Sequence, residues 1–235
     1  YRGAMVPHAV WYFSGDAAAR SMRWLSENQP NVDLVVVFGS HRGPHGPNTV
    51  FVGDSWATPL GPLKIAQSLA TTLQAELGFA EEPIHPTSPD NAVEVQLPMV
   101  RHFFPQAELL MLGVEASERA FGFGQQVASR VLALQRNAVW IGSTDLTHYG
   151  PNYDFSPHGL GVDAVAWTRE QNDVGFIEAV LRKDAAAAVS HARENASACC
   201  CGAVAALLGA LDISHATIQP HLVEHYLSYD VRKDA

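Results

Sequence analysis

The stretch Leu34-Val35-Val36-Val37-Phe38-Gly39-Ser40-His41 decides the fold. Five apolar residues in a row, three of them β-branched, suit a strand covered on both faces; a strand with one wet face would alternate. The run stops at Gly39, and the next chemically capable side chain is His41. Upstream, residues 16–27 have the Ala-rich spacing of a helix, and residues 3–6 form a short apolar strand that ends at Pro7 and His8. Downstream lie a Gly/Pro/His-rich loop, a short strand at 49–52 and a helix over 63–77 that Gly78 closes as a C-cap. Residues 91–104 are helical in pattern, with Pro98 either kinking the helix or opening a second one. A strand at 108–114, a helix over 118–134 and a buried-type strand at 138–141 follow. After a polar loop at 149–157 the chain is mainly helical over 162–211, and residues 221–231 alternate enough for one or two strands. Strands that alternate with helices predict an α/β fold, a single-domain mostly parallel sheet flanked by helices on both faces.

Composition narrows the function classes. Apolar residues are 47% and charged residues 17% of the 235, enough apolar material for a sizeable core. No apolar run reaches the length of a membrane span, so no membrane partner is expected. A formal charge of -9 with 15 Lys and Arg and no basic cluster argues against nucleic acid, whose binding depends on clustered cations. The three cysteines are adjacent, Cys199, Cys200 and Cys201, so no disulfide framework is available, and a reducing, cytoplasmic setting is the expectation. The long helical C-terminal half suits a homodimer.

In open α/β sheets, ligands bind beyond the carboxyl ends of the strands. Three expected strands run into polar residues there: His8, His41, and Asp145 with His148. Two imidazoles and a thiolate make a reasonable shell for a divalent metal and leave a position open for water or substrate. Cys201 precedes Gly202 and an Ala/Leu-rich helix, whose N-terminus favours a thiolate. Each feature also has a plain structural reading. A strand-end histidine often bonds locally, a cysteine triplet often packs, and residues 145–148 could form a turn that bonds to itself. Ser143, Asp145 and His148 are triad residue types, but no G-x-S-x-G elbow surrounds the serine. Spacing alone thus supports a ligand pocket without fixing a metal.

Longer blocks add a family resemblance. Pro7-His8-Ala9 with Ser14-Gly15, Gly39-Ser40-His41 and residues 56–61 (Trp-Ala-Thr-Pro-Leu-Gly) occur in order. They are followed by Glu94-Val95-Gln96-Leu97-Pro98, residues 143–150 (Ser-Thr-Asp-Leu-Thr-His-Tyr-Gly) and Cys201-Gly202. This set resembles the Memo family, whose bacterial and archaeal relatives are called AmmeMemoRadiSam system protein B, and it spans nearly the whole chain. The resemblance implies one domain over 1–235, with a fold similar to class III extradiol ring-cleaving dioxygenases and a mononuclear non-haem metal. It makes His8, His41 and Cys201 the metal ligands, Asp145 and His148 the acid/base groups of the same pocket, and Glu94 an orienting carboxylate.

A thiolate in place of the carboxylate of true extradiol enzymes favours iron or copper, with zinc also suitable. The implied activity is that of a metal-dependent oxidoreductase with a dioxygenase-like site. The alternatives are a non-catalytic module that binds a peptide or small metabolite in the metal pocket, and a zinc hydrolase. The chain departs from the family pattern at Val10, where glycine is usual, and at Asn91, where histidine is usual. If the family's histidine carries a proton, this chain either has lost that role or gives it to His148 or His85.

Overall fold

The run at 34–38 is the middle of a nine-residue strand in the computed structural model, which describes residues 2–82, 90–214 and 217–233. In chain order the elements are β1 (Gly3–Val6), α1 (Trp11–Asn28), β2 (Leu34–Arg42), β3 (Thr49–Val50), β4 (Ser55–Trp56), β5 (Leu63–Lys64), α2 (Gln67–Leu77), β6 (Ala80–Glu81), α3 (Asn91–Glu94), α4 (Leu97–Phe103), β7 (Glu108–Glu115), α5 (Arg119–Ala133), β8 (Ala138–Ser143), α6 (Val162–Trp167), α7 (Asp173–Leu181), α8 (Ala185–Asn195), α9 (Cys201–Ser214) and α10 (Ser228–Val231). A π-helical turn at Thr168–Asn172 joins α6 to α7. Six strands form one sheet in the order β1-β8-β2-β7-β3-β6, and β4 pairs with β5 in a separate ribbon. The first four strands are parallel, and β3 lies antiparallel to β7.

The apolar strands alternate their burial between two layers. Leu34, Val36 and Phe38 face one helical layer with Leu110, Leu112 and Trp140, and Val35 and Val37 face the other with Leu109, Met111 and Ile141. The first layer is filled by α9, whose residues Cys201 to Leu211 are all buried, as expected of a helix that is apolar all round. Such a helix must approach its neighbours closely. At Gly124 in α5 an added Cβ would lie 1.9 Å from the Ala206 carbonyl oxygen of α9, so only glycine fits there. The second layer is built from α1 and α4.

Sequence and structure differ mainly at element ends. Helix α1 begins five residues before the expected start, and the region expected as one helix over 63–77 gives residues 63–64 to a strand. Gly78 does adopt the left-handed C-cap, with φ 69°. Pro98 sits in the first turn of α4, where its missing N–H costs nothing, so the 91–104 region is two helices. The alternating segment at 221–231 is not a strand: residues 217–227 have no regular secondary structure, and Ser228–Val231 is helical. Residues 221–224 are all exposed and residues 225–227 all half-buried, so the alternation in sequence marks no buried face.

Candidate metal centre

Strands β1, β8 and β2 are adjacent and parallel, so their carboxyl ends share one edge. Val6 pairs with Ser143, and Phe38 pairs with Gly142. That register brings His8, Asp145 and His41 together although they are far apart in sequence. The backbone after β1 is held by Asp145, whose Oδ1 accepts the N–H of His8 at 2.6 Å and of Ala9 at 3.1 Å. The buried Gln96 amide donates to the Pro7 carbonyl at 2.7 Å, and Asn91 donates to the His8 carbonyl at 3.2 Å. The His8 side chain is thereby fixed at 1% exposure.

His41 is aimed by backbone strain. Ser40 has φ 79°, a left-handed value unusual for a non-glycine residue, and the β2–β7 register shifts between Gly39 and Arg42. Asp90 stabilises this kink: its Oδ2 accepts Ser40 Oγ at 3.1 Å and His41 N–H at 2.8 Å, while Oδ1 lies 3.0 Å from His41 Nδ1. Asp90 also caps α3 through the Ala92 N–H. Burial opposes ionisation of Asp90, yet these donors outweigh it and hold the carboxyl well below its usual range. The Asp90 hydrogen bond, helped by Cys199, pushes His41 up to about 10.

The sulfur comes from the connection between α8 and α9. The Cys199 N–H donates to the Asp145 carbonyl at 3.2 Å, and the Cys200 N–H donates to Thr144 Oγ1 at 3.0 Å. Cys199 Sγ then lies 3.2 Å from His8 Nε2 and 3.7 Å from Cys200 Sγ. The hydrogen bond to Cys200, with those to His41 and His8, lowers the Cys199 pKa far below the ordinary thiol value, and Cys200 is pushed up in turn. The His8 and His41 rings meet at 5.0 Å between centroids, nearly perpendicular. The donor atoms of His8, His41, Cys199 and Cys200 all lie within 4.8 Å of one another. His8 Nδ1 is taken by Ser143 Oγ at 3.1 Å and His41 Nδ1 by Asp90, so the Nε2 atoms are the ones left for an ion. Two imidazoles with oriented outer nitrogens and a nearby thiolate fit a metal's requirements.

Cys201 is not part of this group. It is the first residue of α9, its side chain lies in the apolar layer at 2% exposure, and burial pushes its thiol up to about 11. The Gly202 that drew attention to it serves packing instead, since a Cβ there would meet the Glu115 carbonyl oxygen at 2.0 Å. The sulfur at the cluster is Cys199, two residues earlier. Asp145 and His148 lie beside the group: Asp145 Oδ2 is 3.7 Å from His148 Nε2 and 3.9 Å from His8 Nε2. Asp145 raises the pKa of His148, whose ring stacks on Tyr153 at 4.7 Å. Both residues also line a cavity of about 1510 Å³ that extends beneath residues 217–229. Glu94 is exposed, and the orienting carboxylate is Asp90, which sequence reasoning missed. Its signal was an Asp directly before a helix start, immediately after Pro89. His85 lies outside the described residues.

Comparison with known proteins gives the chain's family and its fold. A MEMO1 family protein of Thermococcus onnurineus is 28% identical over 186 residues, which cover 77% of this chain and 64% of that protein's own length. One from Methanopyrus kandleri is 27% identical over 99% of this chain and 78% of its own, and one from Methanosarcina barkeri 30% over 88% and 72%. The crystal structure of an uncharacterized protein from Escherichia coli K12 shares the fold, with a TM-score of 0.53 at 15% identity over 83% of this chain and 82% of that one. The family model described as "Memo-like protein" matches residues 1–235, and the chain belongs to that family.

Proposed function

We propose that the chain is a metal-binding oxidoreductase that holds one ion between His8, His41 and Cys199. One observation carries this reading. Three donor atoms from three separate segments converge, and each imidazole's other nitrogen is already engaged by a partner that fixes its orientation. Thiolate ligation favours iron or copper over harder ions, with zinc also compatible. When bound, iron or copper would supply one-electron chemistry and polarise a ligand at the open position.

The remaining steps belong to the protein. Asp90 and Ser143 hold the imidazole tautomers. Asp145 clamps the backbone of His8 and Ala9 and orients His148, which is placed to take up or release a proton beside the centre. In the metal-free protein His41 holds one proton toward Asp90 and another toward Cys199; an ion would take the place of the second, and the Nδ1 proton would stay with Asp90. A small molecule or short peptide that approaches along the Asp145–His148 side meets Tyr153, whose ring already stacks on His148.

One observation favours the alternative, a non-catalytic binding module. Asn91 uses its amide to brace the His8 carbonyl, so the position offers no titratable group. A redox titration separates the two readings. An oxidoreductase predicts a reversible, ligand-sensitive change in the visible spectrum of metal-loaded protein between dithionite and oxygen. A spectrum that stays silent with one ion bound, together with no oxygen uptake, selects the binding module.

A further inference from the structure

Cys200 has no role in the three-ligand reading, yet its sulfur lies in the same group of donors. We propose that Cys200 is a fourth protein ligand, so that the resting centre is a closed set of two histidines and two cysteines. The inference rests on the metal reading above and deepens it.

Distance supports ligation. Two thiolates bound at about 2.3 Å to one tetrahedral ion stand about 3.8 Å apart, and the Cys199 and Cys200 sulfurs are 3.7 Å apart. Adjacent cysteines do not usually direct both sulfurs to one point. Here the backbone forces it: the Asp145 carbonyl and the Thr144 hydroxyl, consecutive residues beyond β8, take the N–H groups of Cys199 and Cys200 in turn. The Cys200 side chain is 3% exposed, and the sulfur of Cys199 is the hydrogen-bonding partner it meets. A disulfide between the two is the competing use. It fits poorly, because Cα atoms across a trans peptide are about 3.8 Å apart, below the roughly 4.4 Å minimum of ordinary disulfides. No cis peptide occurs among the described residues.

Ligation balances simply: the Cys200 thiol loses its proton to solvent as the metal–sulfur bond forms, and no electron moves. The consequence is a gate. With Cys200 bound there is no open position, and an outside ligand enters only when that sulfur leaves. A neighbouring cysteine is suited to this, since the backbone N–H groups of both residues are held by separate contacts.

Cobalt(II), a spectroscopic stand-in for the native ion, tests the proposal on the whole chain under reductant. Thiolate-to-cobalt charge transfer scales with the number of sulfur ligands. Cys200→Ser should therefore retain one cobalt per chain, lose about half of the near-ultraviolet charge-transfer absorbance, and let added azide shift the visible bands that azide leaves unchanged in wild type. Cys200→Ala should behave alike, which guards against a serine oxygen replacing the sulfur, and Cys201→Ala should match wild type. Far-ultraviolet circular dichroism confirms that each variant is folded. A Cys200→Ser spectrum equal to wild type, insensitive to azide, overturns Cys200 ligation while leaving the three-ligand centre standing. A wild-type chain that takes up no cobalt overturns both.

Discussion

The group formed by His8, His41 and Cys199 and the group formed by Thr147, Asp173 and His225 use similar residue types for different ends. In the second, Asp173 is 1% exposed and both of its oxygens are occupied: Oδ1 takes the Thr147 N–H at 3.1 Å and hydroxyl at 2.5 Å, and Oδ2 meets His225 Nε2 at 2.9 Å. Asn172 completes the network through Thr147 and the Asn195 carbonyl. The result ties the surface-running segment at 217–227 to α7 and to the loop that carries His148. In the first group the outer nitrogens are satisfied and the inner donors face one another. What distinguishes the proposed binding centre from a structural network here is the set of donors left over after the local hydrogen bonds are counted.

That contrast can be broken from either side. The largest expected effect is on the first group: Cys199→Ala or His8→Ala should reduce bound metal from near one ion per chain to background, measured on freshly purified protein, while the melting temperature in the presence of chelator changes little. Metal that persists in both variants removes the distinction. In the second group, Asp173→Ala strands two Thr147 donors and His225 in a buried site and should cost about 3 kcal/mol of stability by urea titration, with metal content unchanged. A loss of metal in that variant would show that the two groups are one unit.

Smaller effects sharpen the account. Asp90→Asn weakens the hold on His41 Nδ1 and should lower metal affinity by roughly 10- to 100-fold, as removal of outer-sphere partners does; competition with a chromophoric chelator reads it. In metal-free protein the His41–Asp90 pair also makes a modest contribution to stability. The His41 pKa is raised from 6.5 to about 10. Its share is therefore complete below the unfolded value near 6.5 and disappears as pH rises through about 10. The Asp90 pKa is lowered, so its share is lost on acidification below the ordinary carboxylate range. Because His41 is 39% exposed at its side chain, screening keeps the sum under about 1 kcal/mol. The stability gap between wild type and His41→Gln should accordingly shrink between pH 7 and 10.

The sheet was legible because its signal is local and strong. An uninterrupted run such as Leu34 to Phe38 has few alternatives to a doubly covered strand, and the strand-end rule led from it to His8, His41, Asp145 and His148. The choice among three adjacent cysteines was not legible in that way. Which sulfur reaches His8 depends on the N–H contacts of Cys199 and Cys200 with Asp145 and Thr144, and those come from a segment more than fifty residues away. Gly202 misled because close packing against β7 and a turn beside a ligand both call for glycine. Asp90 was missed for a related reason: its partners at 40 and 41 are fifty residues distant, and only the Ser40 kink brings them to it. The segment at 221–231 alternates in sequence like a strand, but residues 221–224 are all exposed and 225–227 all half-buried, so the pattern there marks no buried face.

The most direct test of the central claim is metal content by elemental analysis after anaerobic purification, for wild type, Cys199→Ala and Cys201→Ala side by side. The account predicts near-stoichiometric iron or copper in wild type and in Cys201→Ala, and none above background in Cys199→Ala. Metal lost from Cys201→Ala but retained in Cys199→Ala, or equally low in all three, would contradict it.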